Sequence, residues 1–439
     1  MSESLVRQFE TFAANGGGKG PAWLRPLRER AIARFREVGF PTAKDEEWRF
    51  TPVGPIASTE FAVESPAGTA VRLADLGPYL FGETGWRRLV FVDGRYEPDL
   101  SITGDQQGVR IRPWSVALAE DPELLERNTA KHVEAEATAF TALNTAFMKE
   151  GAVIEVAPGV DAGEPIHLVF VATGAAAGVA IQPRNLIVVG AEARAQLVES
   201  YLTLAPESSY LTNAVTEVDV GANAWVEHGR IQRESEAAYH VAFTHIDQAR
   251  DSHYRSFSLV MGGAIARHNL HARLNEPNAE SLLYGLYVGR GKQLLDNHTA
   301  IFHDQPDCRS WEVYKGVLDD RAHGVFNGKI FVQPEAQKTD AKQTNRALLL
   351  SDQASVDTKP QLEIFADDVK CTHGAAVGQI DEAAFFYLQS RGIPRADARR
   401  LLTYAFAAEV LHEVASAPVR TALEQVVHER LAAVHGEEA

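Results

Sequence analysis

Apolar positions along this chain fall into three successive textures. Leu5–Ala13 and Pro21–Val38 carry them at helical spacing, the second stretch opening on Pro21 and stopping near Gly39. Two helices are predicted there, separated by Gly16-Gly17-Gly18. After Trp48-Arg49-Phe50-Thr51 the pattern is mixed, with a strand expected at Leu89–Val92, and a long helical pattern runs from Pro122 to about Lys149.

At Gly151 the period changes to two. Short alternating segments follow one another to about Gly374: Val153–Val156, His167–Val171, Leu186–Val189, Gln196–Leu202, Thr216–Val220 and Trp225–Gln232, then Tyr254–Val260, Leu282–Val288, Asn297–His303, Trp311–Leu318, Val325–Val332 and Leu348–Leu350. Each has strand length and is bounded by Gly, Asn, Asp or Pro. No helical pattern intervenes. Val189-Gly190-Ala191-Glu192-Ala193 recurs as Val220-Gly221-Ala222-Asn223-Ala224, an interval of ~31 residues that suits one coil of a β-solenoid. A large sandwich or barrel would give a similar strand count. The lack of regularly placed Asn-Gly hairpin turns leans towards a parallel β-helix.

The last sixty or so residues return to helical spacing. Glu382–Arg391 is closed by Gly392, Pro394 opens a second helix to about Ser416, and Pro418 precedes a third to about Val434. The expected organisation is a mainly helical domain over 1–150, a β core over 151–380 and a helical domain over 381–439. On that division, removing 381–439 should leave a folded β-domain.

Composition narrows the function classes. With 439 residues, 45% apolar and 23% charged, the chain has the balance of a folded protein of more than one core. Acidic residues exceed basic ones by 16, a field that repels nucleic-acid phosphate and anionic lipid, so neither is an expected partner. No apolar run approaches membrane-spanning length, and Met1-Ser2-Glu3-Ser4 lacks a basic start, which predicts a protein that stays in the cytoplasm. The two cysteines, Cys308 and Cys371, exclude a disulfide framework and cannot complete a four-thiolate cluster site within one chain.

Several constellations invite a chemical reading. Gly324-Val325-Phe326-Asn327-Gly328-Lys329-Ile330 is one residue short of a phosphate loop and lacks the following Ser/Thr, and Gly291-Lys292-Gln293 lacks the upstream glycine; both read as turns in a strand array. Any ATP hydrolysis would belong to another chain. His298, His303 and Cys308, with Asp296 and Asp304, resemble a metal-ligand set, but an odd spacing on one strand sends successive side chains to opposite faces. Glu409 and His412 sit three apart on a helix like half of a di-iron site; the second copy is missing, as Glu424 and His428 are four apart, and these read as helix-surface residues. The sharpest feature is Lys370-Cys371-Thr372-His373-Gly374. Cys371 and His373 alternate by two, so both leave one face of a strand, within reach of one ion or sulfur species. The competing reading is a buried thiol and a hydrogen-bonded histidine at the junction of strand array and helical tail.

The run Ala366–Gln379, with Thr358–Ile364, Ala336–Ala341 and Tyr387–Ile393, resembles the SufD family, as do Tyr314–Val317, Gly324–Lys329 and, near the N-terminus, Gly39–Arg49. The resemblance implies a right-handed parallel β-helix flanked by helical parts. It also implies a scaffold subunit of iron–sulfur cluster assembly that is not itself an enzyme, pairs with the paralogous SufB subunit and recruits the SufC ATPase through its C-terminal helices. A transient cluster would form where the two β-helices meet, with no cofactor held stably by the isolated chain. The cysteine would come from SufB and a histidine, matching His373, from this chain as a metal ligand; Cys371 matches the neighbouring family cysteine. The alternatives are the SufB paralogue itself, a purely structural subunit, and a β-helix enzyme acting on acidic polysaccharide. That enzyme should be exported and carry grouped basic residues; the first is absent here and no clear case of the second is seen.

Overall fold

The alternating segments build a parallel β-solenoid of about eight turns in the computed structural model, which describes residues 2–14, 20–65, 70–104, 107–131 and 138–434. The glycines at 16–18 lie outside the described residues. Two sheets wind around one core. The first contains Arg88–Val92, Ile166–Ala172, Arg194–Thr203, Trp225–Arg233, His253–Val260, Glu280–Gly289, Arg309–Leu318, Asp340–Leu349 and Lys370–Gly378, each parallel to the next. The second contains Ala152–Val156, Arg184–Val189, Leu211–Val220, Tyr239–Gln248, Ile265–Leu274, Leu294–His303, His323–Val332 and Ser355–Ile364, also parallel. This is a solenoid rather than a sandwich. Its first rung comes from Arg88–Val92, well before the change of texture at Gly151.

The sequence echo is one corner of this winding. Glu192, Asn223, Asp251, Asn278, Asp307 and Lys338 all take left-handed backbone with φ between 57° and 63°, and they recur every 27 to 31 residues. Each precedes a small buried side chain, and Cys308 occupies the place held elsewhere by Ala193, Ala224 and Ala279. At this corner a Cβ on Gly221 would stand 2.6 Å from the backbone nitrogen of Ala191, so the turns stack too closely for any larger residue.

The flanking helices cover the solenoid's outer faces. Ser2–Phe12, Leu24–Val38 and Ala139–Phe147 share a core of Leu5, Phe9, Phe35 and Phe147. The helical pattern from Pro122 resolves into Pro122–Asn128, capped by Asp121, and Ala139–Phe147, capped by Thr138. The segment around Trp48 lies against the second sheet: Arg267 stacks 3.7 Å over the Trp48 ring and pairs with Asp296 at 3.0 Å. At the other end of the chain, Arg395–Leu411 and Ala417–Val434 press Ala407, Val410, Leu411, Leu423 and Val427 onto Ile231, Phe257, Leu259, Leu286 and Val317 of the first sheet. The tail is thus the outer half of a core shared with the first sheet.

The two ends of the solenoid differ. At the start, Arg95–Tyr96 and Val109–Pro113 close the two sheets with short antiparallel strands. At the finish, Ser355–Ile364 and Lys370–Gly378 each pair on one side only, leaving both outer edges unpaired.

Candidate functional site

The open end carries the Cys371–His373 pair. Register sets Cys371 beside Ala341 and His373 beside Gln343, so both project from the inner face of the last strand, as their spacing of two requires. Their surroundings differ. Cys371 is half-buried in the terminal apolar cluster with Ile330, Val332, Ala341 and Ala366, and burial pushes its thiol pKa up. A neutral, partly shielded thiol is a weak metal ligand. His373 is exposed, because no further turn covers that position. Around it the edge is open: a Cβ on Gly374 or Gly378 would meet nothing within 4 Å, and Val377 and Phe365 are exposed.

Beneath His373 lies a buried polar file that the sequence pattern did not reveal. Gln343, on the neighbouring strand, donates from Nε2 to Glu312 Oε2 at 2.9 Å, and both residues are almost wholly buried. Burial pushes the Glu312 carboxyl up to about 7, against the opposing pull of Thr299 and Gln343. Gln343 reaches across the core to Gly328, where a Cβ would stand 1.9 Å from Nε2. The phosphate-loop-like glycine is therefore a strand residue, kept small so that the amide can cross. The available signal was the alternation of Glu312 with Tyr314 and of Gln343 with Asn345, polar residues at inward positions.

The other candidate ligands do not converge. His298 faces outward, with Nε2 3.1 Å from Asp296 Oδ1 and its other ring nitrogen contacted by Arg267. His303 faces inward and is paired with Ser310 at 2.8 Å; burial drives its pKa down to about 3. Cys308 is buried, donates to the Glu276 carbonyl at 3.4 Å, and has its pKa pushed up to about 11 by burial. Asp304 pairs with Arg273 at 2.8 Å. Among the described residues no group of three or more His, Cys, Asp or Glu could hold a metal ion. Glu409 is not a free helix-surface residue: it pairs with Lys315 of the solenoid and approaches Arg346 at 3.5 Å, tying the tail down. His412 is exposed.

Fold and site together define a class, a parallel β-solenoid protein with one closed end and one open end that presents the exposed imidazole of His373. The sequence matches the SUF system FeS cluster assembly SufBD core domain over residues 170–406 and the SufBD protein N-terminal region over 3–168. The chain belongs to the SufBD family. It is 32% identical over 412 residues to the iron-sulfur cluster assembly protein SufD of Escherichia coli, covering 93% of this chain and 92% of that one. Similar relatives are the SufBD family protein slr0076 of Synechocystis, 34% identical over 91% of this chain and 89% of its own, and SufD of Bacillus subtilis, 28% identical over 94% of each. No helix among the described residues is long and apolar enough to cross a membrane.

Proposed function

We propose that this chain is a scaffold subunit of iron–sulfur cluster assembly whose open solenoid end pairs, edge to edge, with that of a SufB paralogue. The nascent cluster is assembled there as cargo, with His373 supplying one ligand and the paralogue a cysteine. ATP hydrolysis belongs to a SufC-type subunit docked on the C-terminal helices.

One observation carries this reading: both sheets stop together in unpaired edges at Ser355–Ile364 and Lys370–Gly378, while the opposite end is capped. Long free edges invite strand addition, and proteins that do not use them blunt them. His373 stands on that edge. It offers an imidazole that binds iron when neutral. The tail also leaves Phe386, Tyr387 and Leu401 exposed, apolar side chains that suit a docked partner.

Hydrogen exchange tests the pairing. Amides of residues 355–364 and 370–378 should exchange quickly in the isolated chain and become protected on adding SufB, whereas SufC should protect 382–411. Unchanged exchange at 355–378 in the purified heterocomplex would contradict the edge-to-edge assignment.

A further inference from the structure

The file under His373 has a loose end that bears on how the imidazole is held. Gln343 is set with its NH2 group towards Glu312 Oε2, the orientation that serves the carboxylate form. Its carbonyl is thereby turned away from Glu312, and Oε1 is buried without a hydrogen-bond partner. Orphaned buried acceptors are rare and point to a missing donor. The residue in register with Gln343 on the terminal strand of its own sheet is His373, on the same face. Neighbouring strands lie only about 4.8 Å apart, which sets residues in register within side-chain range of one another.

Resting on the reading of His373 as a cluster ligand, we propose that Gln343 is its positioning residue. Gln343 Oε1 accepts the N–H of one imidazole nitrogen and leaves the lone pair of the other directed out of the solenoid end, towards iron. A neutral imidazole has one donor nitrogen and one acceptor nitrogen, so binding the N–H fixes both the tautomer and the ring direction. Histidines that ligate metals generally have this support, and its loss weakens metal binding by about 10–100-fold. Glu312 acts one step further back by setting which way the amide faces. Gly328 makes the arrangement possible, because a side chain there would occupy the path of Gln343.

The test uses the full chain labelled with 15N-histidine, with the His373 ring signals assigned by their loss in His373→Ala. Wild type should show one tautomer at His373. The double variant Glu312→Leu/Gln343→Leu removes both buried polar partners together and so retains the fold. It should show mixed tautomers, and its complex with SufB should retain iron about 10–100-fold more weakly. Glu312→Gln keeps an acceptor oxygen for the Gln343 NH2 group and should retain the single tautomer. Wild-type ring shifts and iron retention in the double-leucine variant would overturn the proposal. The ring shifts are read on cluster-free protein, so they decide the Gln343 contact by themselves. Normal cluster yield from His373→Ala would remove the ligand role instead, a separate failure.

Discussion

Deleting residues 381–439 should yield an aggregating solenoid rather than a folded β-domain. The tail covers Ile231, Phe257, Leu259, Leu286, Val288 and Val317, all nearly inaccessible in the intact chain. Exposing a buried side chain of this size costs about 2 kcal/mol, so these six alone amount to about 12 kcal/mol. Domain stabilities lie at about 5–15 kcal/mol, which leaves little or no margin. Truncated and full-length chains would be compared by soluble yield, gel filtration and binding of a dye that fluoresces on apolar surface. Graded variants give a second readout: Leu423→Ala or Leu411→Ala should each cost about 2–5 kcal/mol in denaturant melts. A truncated chain that is monodisperse, melts cooperatively near the full-length temperature and binds no dye would refute the shared-core reasoning.

Acid should destabilise the protein before its surface carboxylates titrate. Burial holds His167, His271 and His303 at a pKa of about 3, well below their unfolded value, so the unfolded state takes up more protons as pH falls through about 6.5. Glu312, raised to about 7, works in the opposite sense between about 4.5 and 7. His240 and His268 are lowered by burial as well, and Glu150 and Glu227 raised, so five histidines oppose three carboxyls and stability should fall as pH drops below about 6.5; a melting temperature flat from pH 7 to 5 would contradict it. Arg267→Ala should cost about 3–5 kcal/mol, because it leaves Asp296 buried without its cation and frees Trp48; a denaturant midpoint within error of wild type would be inconsistent with that packing. The anaerobically purified chain alone should be colourless and hydrolyse no ATP, which absorption spectra and a phosphate-release assay would check.

Much of the solenoid was legible because Val, Leu and Ile alternate plainly in strands such as Arg184–Val189 and Glu280–Gly289. Tyr239–Gln248 and Ile265–Leu274 escaped that reading. Their inward His240, Thr244 and His268 lie in a polar interior, and outward-facing Arg267 and Asn269 are covered, Arg267 by the Trp48 segment. Alternation disappears when both faces are buried and both carry polar groups. The single sequence echo at 189 and 220 was real but faint, since the corner demands only a left-handed backbone and a small neighbour, which Asp, Asn, Glu and Lys all satisfy. Spacing gave the shared face of Cys371 and His373; that the face is the inner one, at an uncovered end, required the rungs to be counted in three dimensions. A control histidine for the open end must be removable without harm to the core. His303 is clear of the open end as strand geometry implied, yet it is buried against Ser310, so its replacement would damage the core. The exposed His412 serves instead.

The most direct measurement is anaerobic cluster reconstitution on the SufB-containing complex carrying His373→Ala, with His412→Ala as control and Cys371→Ser alongside. The variant complex should assemble at normal yield and, because the imidazole is exposed, differ in stability by no more than about 1 kcal/mol. Its iron–sulfur absorption band should be lost, that of Cys371→Ser weakened less, and that of His412→Ala unchanged. Full cluster formation on the His373→Ala complex would contradict the account and leave this chain a purely structural partner.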